Sequence, residues 1–253
     1  VNSVLSLNYK MVELLLSQHH NVESRKGKEY KTLAHLACGK CDKKMLEILI
    51  KYGCNLESLD YENMTPIYDA IYSNNLNFVN YLITDLKMNV HHHEIQNRTP
   101  FYWACCSSSI EMLKYLLTFP GIDINEQSSM GRTALSKACW NGQINTVKLL
   151  CEQPGIKINF PDHNNRYPLH NAVWGEFGGR EGKKMSGNTP NDSPECAQIL
   201  IDNGALLEPK DNDGNTPFMI AASTNGLRSM KILFNYGANL NEVNNSNETG
   251  LIQ

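Results

Sequence analysis

The sequence predicts an all-α repeat protein, a solenoid of stacked helix-turn-helix units with hairpin or loop fingers between them. Three observations predict it. A six-residue motif returns at a near-constant interval, an apolar quartet follows it at fixed offsets, and Gly or Asn stands wherever the chain must turn. Self-similarity of this period marks units that bury their apolar faces only against their neighbours.

The motif starts at Thr32, Thr65, Thr99, Thr133, Tyr167 and Thr216, so successive starts are 33, 34, 34, 34 and 49 residues apart. Thr32 opens Thr-Leu-Ala-His-Leu-Ala, Thr65 opens Thr-Pro-Ile-Tyr-Asp-Ala, and Thr99 opens Thr-Pro-Phe-Tyr-Trp-Ala. The later three read Thr-Ala-Leu-Ser-Lys-Ala, Tyr-Pro-Leu-His-Asn-Ala and Thr-Pro-Phe-Met-Ile-Ala. Each is a candidate first helix. Eleven residues past Thr99, the spacing of Ile110, Leu113, Leu116 and Leu117 predicts one apolar face of a second helix. The same offsets give Leu76, Val79, Leu82 and Ile83; Ile144, Val147, Leu150 and Cys151; and Leu227, Met230, Leu233 and Phe234. Gly53, Gly204 and Gly237 suit left-handed helix ends. Two residues before the signature, Asn63, Asn97, Gly131, Asn165 and Gly214 suit a tight turn with positive φ. The first unit departs, with Tyr30 at that place and one extra residue upstream.

These residues resemble the ankyrin repeat, whose period is about 33 residues and whose signature is T-P-L-H-x-A. The resemblance implies one ankyrin domain over 1–253, with full repeats starting near 23, 57, 91, 125, 159 and 208 and partial repeats at 1–22 and 241–253. Neither end reads as a polar cap, so a fragment of a longer protein is expected. The fifth unit is longer: Tyr167 to Gly204 is 37 residues against 21 from Thr216 to Gly237. The surplus falls in 175–193, rich in Gly, Ser, Asn and Lys, and reads as an inserted flexible loop. Ser193-Pro194-Glu195 then restarts a helix, with Ser193 as its side-chain cap. The resemblance further implies that His35 and His170 hydrogen-bond the loops. It also places Asn125, Asn159 and Asn241 at the hairpin position that is hydroxylated in some animal ankyrin repeats.

Composition bounds the chemistry. Of 253 residues, 41% are hydrophobic and 19% charged, the balance of a folded chain rather than a disordered one. Mean hydropathy is −0.40 and no apolar run reaches about 18 residues, which excludes a spanning helix. A net charge of −3 argues against polyanion binding as the leading reading. The eight cysteines are too sparse for a disulfide scaffold, and an intracellular site, cytoplasmic or nuclear, is expected.

No catalytic group, cofactor or metal is expected. Cys38-Gly39-Lys40-Cys41 has metal-ligand spacing, but no second pair follows it. Cys38, Cys105 and Cys139 all fall six residues after their signature Thr, a small buried position. His91, His92 and His93 precede Glu94 in an extended arm, where consecutive side chains point to opposite faces. Gly178 to Lys184 lacks the leading Gly and the Ser or Thr of a phosphate loop.

What remains is a surface, and the resemblance implies that partners meet fingertips and exposed first-helix positions. Seven residues past the signature stand Tyr72, Trp140 and Trp174, with Cys106 a gap whose helix carries Trp103. Immediately before the signature stand Arg98, Arg132 and Arg166. Aromatic plus Arg is the composition of binding hot spots. The reading is a non-catalytic scaffold or targeting domain, a monomer, that binds a protein or peptide through its concave groove and hairpin tips. Acidic or phosphorylated partners would suit the Arg row. The alternative is a regulatory domain that senses an oligonucleotide or phosphorylated ligand for an enzyme elsewhere in the chain, bases stacking on Trp140 and Trp174.

Overall fold

The computed structural model describes residues 8–107, 109–174 and 193–250. Most of the 175–193 insertion therefore lies outside the described residues. The chain divides into two compact units, 1–122 and 123–253. Among the described residues there are 13 helices and one pair of two-residue strands.

The first described element of unit 1 is α1 (Tyr9–Ser17). Strands β1 (Arg25–Lys26) and β2 (Lys31–Thr32) then pair antiparallel, Arg25 opposite Thr32. Three helix pairs follow: α2 (Leu33–Gly39) with α3 (Lys43–Lys51), α4 (Pro66–Tyr72) with α5 (Leu76–Thr84), and α6 (Pro100–Ser107) with α7 (Ile110–Leu116). Helix α2 packs on α4, and α4 on α6. Unit 2 repeats the plan with α8 (Ala134–Trp140) and α9 (Ile144–Cys151), α10 (Pro168–Ala172) and α11 (Pro194–Asp202), and α12 (Pro217–Ser223) and α13 (Leu227–Asn235). There α8 packs on α10, α10 on α12, and α9 on α11, which packs on α13.

The signature acts as a helix start. Thr133 and Thr216 accept the backbone N–H of Ser136 and Met219, capping α8 and α12. Where the third residue after Thr or Tyr is His, the ring joins two repeats. His35 Nδ1 accepts from Thr32 N at 3.2 Å, which leaves Nε2 to donate to Met64 O at 2.9 Å. His170 does the same between Tyr167 N and Asn215 O. In the second unit Tyr68 replaces His, and its hydroxyl lies 2.6 Å from His92 O and 2.9 Å from Arg98 O.

Among the described residues only the first finger pairs as strands; the others close with a backbone bond across the tip and a second inside the turn, as from Asp60 N to Met64 O at 3.0 Å and Asn63 N to Asp60 O at 3.2 Å. Asn63, Asn97, Gly131, Asn165 and Gly214 all have positive φ, and Tyr30 adopts it too at 55°. Successive fingers are tied by backbone bonds, Tyr61 N to Glu29 O in unit 1 and Asn212 N to Asn164 O in unit 2. Eight residues before the signature, Asn125 Oδ1 accepts from Lys157 N while its Nδ2 donates to Gly155 O. Asn159 spans to Leu206 N and Gly204 O in the same way. These hairpin Asn amides are clamps between repeats.

Two expectations are corrected. The second-helix face is centred 13, 14 and 17 residues past the signature, where Met112, Leu113 and Leu116 are wholly buried. The positions at 11 and 18 lie at its rim, and Leu227 and Phe234 are 61% and 59% exposed. Ser193 stands before α11 but makes no cap bond through its side chain. Pro194 does occupy the first turn.

Cys38, Cys105 and Cys139 are fully buried at the packing position, and burial pushes each thiol well above the ordinary cysteine range. Since the thiolate is the reactive species, iodoacetamide at pH 8 should leave these three unmodified in the native protein. All eight cysteines should react in urea, and peptide mass spectrometry distinguishes the states. Native alkylation of Cys105 at the rate of a denatured thiol would refute the burial argument.

Candidate functional site

The seven expected surface residues fall in both units, and each half is built locally. In unit 1, Tyr72 ends α4 and is 77% exposed. Trp103 lies one turn into α6, half-buried. The Arg98 guanidinium stacks over the Trp103 ring, 4.6 Å from its centroid. Arg98 is also held by Glu94 in a two-point pair, Nε to Oε1 at 2.8 Å and Nη2 to Oε2 at 3.1 Å. Burial works against the Arg98 charge, but the Glu94 carboxylate outweighs it and raises the guanidinium further.

In unit 2, Trp140 is the last residue of α8, and Trp174 lies two residues beyond the end of α10. Their ring centroids are 5.5 Å apart with the planes tilted at 48°. Arg132 lies 5.7 Å from the Trp140 centroid, and Arg166 lies 4.5 Å from that of Trp174. Each Arg also reaches a buried carboxylate of the following finger: Arg132 Nε is 3.6 Å from Asp162 Oδ2, and Arg166 Nε is 3.6 Å from Asp211 Oδ2. That separation is an ion pair rather than a hydrogen bond.

The partner acids share one register, five residues before the signature: Asp60, Glu94, Asp162 and Asp211, with Ser128 in the fourth unit. Their first duty is local. Asp162 Oδ1 accepts the backbone N–H of Asn164 and Arg166, and Asp211 Oδ1 accepts those of Asp213 and Asn215. Arg98, unlike Arg132 and Arg166, pairs with the acid of its own finger, Glu94. The consequence for recognition is electrostatic. Each Arg in the row is matched by a buried carboxylate, so the row offers less net positive charge than its spacing suggests, while the stacked indoles gain polarised faces. Offsets of −1 and +7 find the Arg and Trp rows; the acid at −5 is equally regular and supplies what lies beneath them.

Among the described residues no group of three or more His, Cys, Asp or Glu could hold a metal ion. His92 Nε2 instead bonds Asn63 O at 2.7 Å, and its ring meets Tyr68 edge-on. No described helix is long and apolar enough to cross a membrane.

Comparison with known proteins agrees with this architecture. The family profile described as ankyrin repeats (3 copies) matches residues 3–94, 86–162 and 120–177, and that described as ankyrin repeats (many copies) matches 191–251. Among solved structures, the ankyrin repeat domain of Bcl-3, described as a unique member of the IkappaB protein family, superposes with a TM-score of 0.68. It is 24% identical, over 89% of this chain and 94% of that one, a likeness of fold. No curated protein matches the chain by sequence. Six signatures in register, the helix pairs they start and family matches spanning most of the sequence lead to one assignment: the chain belongs to the ankyrin repeat family.

Proposed function

We propose that this ankyrin repeat domain recognises a protein or peptide through fingertips and inner-helix ends, as a non-catalytic scaffold or targeting module. Ankyrin repeats are in general protein-interaction modules without catalytic chemistry of their own. The observation that carries the reading is aromatic surface in each unit: in unit 1 Tyr72 is 77% exposed and Trp103 sits beside Arg98, and in unit 2 Trp140 and Trp174 sit beside Arg132 and Arg166. Rigid aromatic faces flanked by guanidinium groups are the anchors that dominate protein interfaces, and a surface preformed by repeat packing loses little entropy on binding. Repeats starting near 23, 57 and 91 supply the unit 1 half; those near 125, 159 and 208 supply the other. All eight cysteines are free, which favours a reducing, intracellular compartment. A monomer is part of this reading.

The test is capture of lysate proteins by wild type and by Tyr72→Ala and Trp140→Ala/Trp174→Ala, with circular dichroism confirming the fold. Specific proteins should be lost from the folded variants, with at least a fivefold fall in recovery for the double variant. Unchanged capture would make this aromatic surface packing. The alternative rests on the Trp140–Trp174 pair with Arg132 and Arg166, a platform on which bases could stack. Were it correct, the captured species would be nucleic acid or a phosphorylated ligand and would be released by high salt. The carboxylates of Asp162 and Asp211 behind those guanidinium groups disfavour it.

A further inference from the structure

Unit 1 contains a hollow of about 430 Å³, a size suited to a small ligand or an inserted side chain. Four parts of the chain meet in its wall, the first being the opening finger with Lys28, Glu29 and Lys31. The second fingertip contributes Tyr61 and Glu62, helix α4 contributes Asp69 and Tyr72 one turn apart, and α6 contributes Trp103. Tyr61 and Tyr72 are 71% and 77% exposed, which leaves two large rings at the rim with little protein against them.

The charge of the wall is acidic. Its lining holds four acids, Glu29, Asp60, Glu62 and Asp69, against two lysines, Lys28 and Lys31. Lys31 is already committed, with Nζ 2.8 Å from Asp69 Oδ1 and 3.2 Å from Glu29 Oε2. Even so, Asp69 Oδ2 and Trp103 Nε1 are buried with no hydrogen-bond partner. Asp60 is 8% exposed and spends Oδ1 on the backbone N–H of Glu62 and Met64. Burial pushes the Asp69 carboxyl up while Lys31 pulls it back, so this wall gains from each further positive charge.

These features select an occupant. A phosphate or an acidic side chain would meet more carboxylate than ammonium. A purely apolar side chain would strip water from the carboxylates without replacing it. A cation on an apolar stem satisfies both surfaces, its methylenes against Tyr61 and Tyr72 and its charge toward the carboxylates and ring faces. We propose that the unit 1 hollow receives a basic side chain, lysine or arginine, from a protein partner. This rests on the reading of the chain as a peptide-recognition domain and gives that partner a chemistry. It also reverses, for this half of the surface, the acidic partner that the Arg row suggests.

The probes are Nα-acetyl-lysine amide and Nα-acetyl-arginine amide, with Nα-acetyl-glutamate amide as the anionic control, titrated at constant ionic strength into ¹⁵N-labelled protein. The chain has three tryptophans, so the Trp103 indole resonance is assigned by its loss in Trp103→Phe. Both cationic probes should move it saturably and the glutamate probe should not. Glu62→Gln should weaken the response roughly threefold and Tyr72→Ala roughly fivefold. Both changes are at exposed side chains, and the dispersion of the remaining amide signals reports that the fold is kept. Equal response to the glutamate probe, no saturation, or indifference to both variants would overturn the proposal. Failure of the recognition reading has a different signature: a saturable cation response in a chain whose captured proteins ignore Tyr72→Ala.

Discussion

Asp162→Ala is expected to destabilise unit 2 by about 3 kcal/mol, the cost typical of removing one partner from a buried charge pair. Its side chain is 1% exposed, and two losses combine there. The backbone N–H groups of Asn164 and Arg166 lose the oxygen that they share at 2.9 and 3.0 Å. Arg132 loses the charge behind its guanidinium. Ser128 holds the same register in the preceding finger, where Oγ lies 3.4 Å from Met130 N and 3.3 Å from Arg132 N. Asp162→Ser should therefore keep the turn and lose only the ion pair, falling about halfway between Ala and wild type. Urea unfolding of the three proteins, together with Arg132→Ala and the Arg132→Ala/Asp162→Ala double variant, separates the terms. If Ser proves as stable as wild type, the ion pair contributes nothing, as for an exposed surface pair, and Arg132 is then available to a partner. If Ser is as damaging as Ala, the pair rather than the turn holds the finger.

That experiment bears on how much of the molecule can be read from its sequence. The signature positions specify local backbone, so they are legible: Thr99, Thr133 and Thr216 cap their own helices, and Asn63, Asn97 and Asn165 adopt positive φ because the turn demands it. The second-helix face is only partly legible. Four apolar residues within eight positions show that a stripe exists but not where its centre lies. At the deepest register Thr146 and Ser229 are polar yet buried, which hides the true centre from a hydrophobic count. The rows of Arg and Trp are visible as spacing, whereas their charge balance is not. Arg132 meets an acid 30 residues later, and Arg166 one 45 residues later, across the insertion. The hollow is the least legible feature. Lys31, Asp69 and Trp103 each look ordinary within their own repeat and acquire a common role only when stacking brings three repeats together.

Acid should weaken the domain through His35 and His170. Both rings are buried, His170 completely, and each is used as a neutral imidazole, Nδ1 accepting a backbone N–H and Nε2 donating to the next finger. Burial lowers both below the ordinary histidine value, although Met64 O and Asn215 O favour the charged form. So do neighbouring carboxylates, Asp69 and Asp60 for His35 and Asp211 and Asp162 for His170, against Lys31 and Arg166. The net lowering sets the sign. As pH falls through about 6.5 the unfolded chain takes up these protons while the native rings resist them, so stability declines with acidity. Above that value the contribution is fully present. Each histidine can remove up to about 1.4 kcal/mol per pH unit inside its window. Urea midpoints should thus be flat from pH 8 to 7 and fall steadily from 6.5 to 5.5. His35→Gln/His170→Gln should start less stable and lose most of that slope. The carboxyl of Asp69, pushed up by burial, acts in the opposite sense at lower pH, where its native form holds a proton that the unfolded chain has released. A native protein with unchanged stability between pH 7 and 5.5 would mean that the folded chain accepts the protons without cost. The bonds to Thr32 N and Tyr167 N would then be dispensable, and the repeat signature would owe its histidine to packing alone.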